Sequence, residues 1–88
     1  MSNKKSKKEL IAESVVLRNK IIDELIPKLE KAGKREMVAR LYVAVEVGED
    51  KVMEWPHYWE HVSALAENTL VVHTFLETQK RILKKWQS

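Results

Sequence analysis

Apolar residues recur at three-and-four spacing along the first third of the chain, at Ile11, Val15, Ile22, Leu25 and Leu29, with Leu10, Leu17, Ile21 and Ile26 widening the stripe. That period gives a helix one broad buried face. Ser6-Lys-Lys-Glu9 has the capping-box spacing that satisfies free N–H groups at a helix start, so the spacing predicts a first helix from there. Pro27 falls inside the pattern and removes a backbone donor, which predicts a kink, or a break with Pro27 opening a short continuation. Gly33, preceded by Lys28 and Lys31, suits a left-handed cap at the end.

The segment over about 34–54 carries two periods at once. Tyr42-Val-Ala-Val-Glu-Val47 alternates like a strand, and Gly48-Glu-Asp50 offers a hairpin turn. Val38, Leu41, Val45, Gly48, Val52 and Trp55 also keep three-and-four spacing, and a lone hairpin has nothing else to pair with. Helix is the preferred reading, with Gly48 a weak point or a break between two shorter helices.

Trp55-Pro56 marks the next boundary, because proline disfavours a helical residue before it and fits the first turn of the helix that follows. Beyond it Val62, Leu65, Thr69, Val72, Leu76, Gln79, Leu83 and Trp86 form a heptad-like series without Gly or Pro. Polar Thr69 and Gln79 inside such a seam set register more often than they bind ligands. The expected fold is therefore all-α: a three-helix antiparallel (up-down-up) bundle with a long C-terminal helix. At 1.5 Å per residue the three helices span roughly 36, 30 and 45 Å, so the last outreaches the others. Ile82, Leu83 and Trp86 then lack cover from within the chain, which points to a second copy or another protein packed there.

At 88 residues the chain holds one domain, read as 6–88 after a disordered basic arm over 1–5. A single core of this size is marginally stable alone, which strengthens the expectation of association. The absence of cysteine rules out disulfides and thiolate metal sites and fits a reducing compartment. The basic N-terminus lacks the apolar region of a signal peptide, and no apolar run approaches the roughly 18–20 residues needed to span a bilayer. The expected location is the cytoplasm, with no membrane partner.

Charge is unevenly distributed: residues 41–79 carry seven acidic groups and one basic group, Lys51. Basic residues gather in the N-terminal tail, around the first turn (Lys28, Lys31, Lys34, Arg35) and at the end of the last helix (Lys80, Arg81, Lys84, Lys85). In an up-down-up bundle the latter two groups share one pole. The plain reading is ordinary solvated surface, with cations near helix C-termini. The alternative is a phosphate-binding pole for nucleic acid, with Trp86 able to stack on a base.

Trp55-Pro-His-Tyr-Trp-Glu-His61 concentrates aromatic and histidine side chains. Its aromatics Trp55, Tyr58 and Trp59 serve either to wedge the end of the bundle together or to form a partner-binding hot spot, separate from the candidate partner-binding residues Ile82, Leu83 and Trp86 at the other end of the helix. His57 and His61 stand four residues apart on one helical face, a spacing metal sites use, but a complete site would draw ligands from another helix or subunit. No nucleophile elbow or Gly-rich phosphate loop is present, so neither catalysis nor a cofactor is expected.

Ala44-Val-Glu-Val-Gly48-Glu-Asp-Lys51 resembles a short piece of the first helix of helical chorismate mutases, with Arg40 and Lys51 at basic positions. Asp23 stands where that family has its first active-site arginine, Ser63 and Ala64 replace its later Arg-Glu pair, and Gly33 and Pro56 have no place in its long helix. Glu46-x-x-Glu49 resembles a carboxylate motif of the helical nucleotide pyrophosphohydrolases, whose second paired motif is missing at matching spacing. Neither membership is adopted. The expected function is a non-enzymatic adaptor, inhibitor or small subunit that binds a protein or itself through the last helix. A nucleic-acid accessory protein and an intersubunit metal site are the alternatives.

Overall fold

The computed structural model describes residues 5–87, which form three helical arms and, among the described residues, no strand. The first arm comprises α1 (Lys7–Lys20), a π-helical turn (Ile21–Leu25) and α2 (Ile26–Lys31); α3 (Arg35–Lys51) is the second and α4 (Pro56–Gln87) the third. The first and last arms run the same way. Lys5 and Glu13 line one hollow with His57 and Glu60, while farther along Lys20 pairs with Glu67. α3 returns antiparallel between them in sequence, its end tied to α1 by an Arg18–Glu49 ion pair at 3.0 Å. This is the up-down-up bundle with a long C-terminal helix that the periodicity predicts.

The caps form as their residues dictate. Glu9 N–H donates to Ser6 Oγ at 3.2 Å, which satisfies one of the free donors at the start of α1. Gly33 takes φ +75°, and the N–H groups of Lys34 and Gly33 donate to the carbonyls of Leu29 and Glu30 at 2.9 and 3.1 Å. That pair of bonds is a Schellman close, open to glycine because it has no Cβ to clash in the left-handed region. Of the basic arm expected over 1–5, residues 1–4 lie outside the described residues; Lys5 precedes α1 and pairs with Glu13.

Pro27 stands in the first turn of a short continuation, α2, as the second of the two expected outcomes has it, and the chain reaches it through a π turn. In an α-helix its ring would strike the carbonyl four residues back, at Asp23, and leave that turn without a donor. The chain widens instead: Ile26 N–H donates to the Ile21 carbonyl, five residues back, and Pro27 falls in the first turn of α2. A π turn takes up one extra residue, which sets the downstream side chains back by about 100°. Ile21, Leu25, Ile26 and Leu29 consequently all reach the core.

The break expected near Gly48 is absent, because α3 passes through Gly48 and ends at Lys51. Tyr42–Val47 is helical, so the strand-like alternation is not used. Gly48 is buried under the α4 aromatics, and the glycine answers a packing demand rather than marking a boundary. The connection follows at Val52–Trp55, where Trp55 N–H donates to the Val52 carbonyl at 2.9 Å before Pro56 opens α4.

The core joins the first-arm residues to Leu41 and Val45 of α3 and Trp59, Val62 and Ala66 of α4. Each large side chain so buried contributes about 1.5–3 kcal/mol. Small residues let α1 and α4 approach: Ser14 and Ser63 are buried, and neither hydroxyl has a hydrogen-bond partner among the described residues. Every buried residue of α4 lies between Trp59 and Ala66, although the helix continues to Gln87. The molecule measures 63 × 30 × 15 Å, drawn out by that extension.

Candidate partner-binding face

Two regions hold the residues singled out from the sequence, the aromatic corner at the start of α4 and its far end. At the corner the aromatics separate into different roles. Trp59 is completely buried and packs edge-on against Tyr58, with ring centroids 5.4 Å apart and planes at 87°. Tyr58 Oη donates to the Ala44 carbonyl at 2.6 Å and so ties α4 to α3. Burial pushes its phenol above the ordinary 10.0. Trp55 alone of the three is exposed. The corner is thus mainly a wedge between α3 and α4, and Trp59 and Tyr58 are committed to it.

His57 and His61 both face solvent, and His57 Nδ1 stands 3.6 Å from Glu60 Oε2. Among the described residues no three His, Cys, Asp or Glu side chains gather in a way that would hold a metal ion. Nor is any helix long and apolar enough to cross a membrane.

The far end of α4 is different. The heptad series is not the face that packs in the bundle: only Val62 of it is buried, while Leu65, Val72, Leu76, Leu83 and Trp86 are exposed. The inward face is offset from it, running through Trp59, Ser63, Ala66 and Leu70. At about 100° per residue, Val72, Phe75, Leu76, Ile82, Leu83 and Trp86 fall within an arc of roughly 120°, on the side turned away from the bundle. Trp86 is 85% exposed and Phe75 60%. Phe75, Val72 and Leu76 join the expected trio Ile82, Leu83 and Trp86; the heptad spacing had already marked two of them, whereas Phe75 flanks the seam and is visible only once the helix is seen bare.

The basic groups do not form one compact pole. Lys28 and Lys31 line an open hollow with Leu70, Val71, Thr74 and Phe75, which fixes the level at which the first turn meets α4. Lys34 and Arg35 lie beside Thr69. Lys80, Arg81, Lys84 and Lys85 stand roughly 9–16 Å farther along α4, on the arc opposite the apolar stripe. Lys80 pairs with Glu77 at 3.7 Å. Past the bundle, α4 is therefore an amphipathic helix with one apolar and one basic face. Comparison with protein-family models, with curated proteins and with solved structures finds no match for this chain.

Proposed function

We propose that this chain is a small non-enzymatic helical binding protein that engages a protein partner through the apolar face of α4 beyond residue 70. The observation that carries the reading is the set of exposed apolar residues Val72, Phe75, Leu76, Ile82, Leu83 and Trp86 on one arc of α4. Scattered surface hydrophobics need no explanation, but a contiguous apolar patch marks an interaction site. Rigid aromatic anchors such as Phe75 and Trp86 are the residue types that dominate binding energy at such sites.

The test is a Phe75→Asp/Leu83→Asp double variant, its helicity checked by circular dichroism, compared with the unaltered chain isolated from its host. The unaltered chain should be recovered in association with protein, either itself or another, and the variant should lose that association. A wild-type chain that stays monomeric with nothing bound, or a variant that keeps the same associates, rejects the reading.

A second reading as a nucleic-acid accessory protein is favoured by one observation, the gathering of Lys80, Arg81, Lys84 and Lys85 on one exposed arc of α4. Phosphate binding of this kind weakens steeply with salt. Anisotropy titration with mixed-sequence single-stranded RNA decides it, and no binding at low salt rejects it.

A further inference from the structure

We infer that the occupant of the α4 stripe is an acidic amphipathic helix of another protein, seated along residues 72–86 with carboxylates on both flanks of its apolar seam. This rests on the reading of the stripe as a protein-binding face and gives the chemistry of its partner.

The shape of the occupant follows from the spacing. Val72, Leu76, Gln79, Leu83 and Trp86 repeat at four and three residues, the period at which side chains of one helix seat between those of another. All five are exposed, and the exposed Phe75 and Ile82 widen the seam on one side. From residue 72 to residue 86 the seam runs about 21 Å, which takes a partner helix of about four turns. Gln79 in its midst favours a partner with a polar residue at the facing position, because a slip would leave the amide against apolar neighbours.

The charge of the occupant follows from the two margins of the stripe. At about 100° per residue, Thr69 falls beside Leu76 at one edge of the apolar arc, and Val71 falls beyond Ile82 at the other. Lys34, Arg35 and Arg40 line a hollow with Thr69, at the first edge. Lys28 and Lys31 line a hollow with Val71 and Phe75, at the second. Past the first turn Lys80 and Lys85 continue the two edges, each within about 60° of an end of the apolar arc, while Arg81 and Lys84 point away and take no part. Glu36 shares the hollow of Lys34 and Glu77 pairs with Lys80, which leaves cations in excess at both edges.

A helix seated on the stripe therefore has positive side chains beside both of its flanks. Glu or Asp at those flanks is matched and Lys or Arg is repelled, which is how charges beside a helical seam choose a partner. A second copy of this chain is the wrong occupant, because stripe laid on stripe in either direction sets cations beside cations. Exposed ion pairs each add little affinity, so the apolar seam holds the partner and the margins select it.

Two fluorescent synthetic helices of about 18 residues, long enough to span the seam, serve as probes. Both carry leucine along one heptad seam; one has Glu on both flanks and the other Lys, so each is repelled from itself. In anisotropy titrations at low salt the chain should bind the Glu-flanked helix at least about tenfold more tightly than the Lys-flanked one, and the gap should close as salt screens the margins. Phe75→Ala/Leu83→Ala should weaken binding of the Glu-flanked helix by about 30-fold or more without altering any charge. Lys28, Lys31 and Arg40 are exposed, and Lys28→Glu/Lys31→Glu/Arg40→Glu should turn the preference toward the Lys-flanked helix. Equal binding of both helices, lost in the alanine pair, keeps the binding face and overturns the acidic partner. Binding of the Glu-flanked helix that the alanine pair leaves unchanged also overturns it. Binding of neither helix does the same, and isolation of the Phe75→Asp/Leu83→Asp variant from the host then decides whether the face itself stands. If vesicles of anionic phospholipid take up the chain through the stripe and the Glu-flanked helix does not compete, the occupant is a lipid surface and the inference falls.

Discussion

Trp59 closes directly over Gly48: a Cβ on Gly48 would lie 2.6 Å from Trp59 Cζ2 and 2.7 Å from Cη2, with Tyr58 Cε2 also at 2.7 Å. The absence of that one carbon lets α3 and α4 meet at the end of the bundle. Alanine is worth about 1 kcal/mol more than glycine in a helix interior, whereas overpacking a closed core costs about 1–3 kcal/mol. The indole is completely buried and has no room to retreat, so packing wins. Gly48→Ala should lower stability in urea by about 1–2 kcal/mol. Adding Trp59→Phe should recover part of that loss, and strictly additive effects in the double-mutant cycle would contradict the contact.

Pro27 presents the opposite balance. Pro27→Ala restores a backbone donor worth about 1 kcal/mol, which favours a return to a regular α turn. That return would rotate Ile26 and Leu29 by about 100°, out of the core, at about 2–5 kcal/mol for each side chain withdrawn. The π turn should therefore persist in Pro27→Ala, with stability changed by less than about 1 kcal/mol, while Ile26→Ala should cost about 2–5 kcal/mol. Backbone chemical shifts over 20–28 provide the check; a regular α pattern there in Pro27→Ala would show that the proline, not the core, dictates the widening.

Ser63 is buried, and its hydroxyl has no hydrogen-bond partner among the described residues. Leaving a buried hydroxyl unmatched costs about 1–3 kcal/mol, and alanine removes the group with little change in volume. Ser63→Ala should raise stability by about 1 kcal/mol, a rise in Tm of roughly 4–8 °C for a domain of this size. A loss of stability would show that the hydroxyl is matched in solution.

Tyr58 links the corner to pH. Burial disfavours its phenolate and raises its folded-state pKa above the ordinary 10.0. For a group raised on folding, the associated stability is complete below the unfolded value and is lost as pH rises through the folded one. Stability should therefore fall above pH 10.0, and ultraviolet titration should show a phenolate transition later than that value. Tyr58→Phe should abolish the late transition and cost about 1 kcal/mol through the lost bond to Ala44. A late transition that survives in Tyr58→Phe would assign it elsewhere.

Much of the fold was legible because local signals agreed with one another. Ser6 and Gly33 announce the ends of the first arm, since a side-chain acceptor and a missing Cβ act within a few residues of themselves. Pro56 announces α4 for the same reason. Gly48 was open to misreading because a glycine reads as a weak point along the helix, whereas its role depends on an indole 11 residues away across the turn. Tyr58 and Trp59 pose the same difficulty: an aromatic cluster suits a wedge and a hot spot equally well until its burial is known.

The sequence by itself determined the helices, their order and the length of the last, because periodicity, caps and prolines are properties of neighbouring residues. Along α4 it marked one series, the heptad run from Val62 to Trp86. Only the tertiary structure showed that the bundle packs on a different face, through Trp59, Ser63, Ala66 and Leu70. The small residues Ser63 and Ala66 admit α1 closely on one side, and the first arm turns back at Gly33, level with Leu70, so the heptad series from Leu65 to Trp86 is left facing solvent. Which face a helix buries depends on what arrives to cover it, and that is settled by the packing of all three arms together.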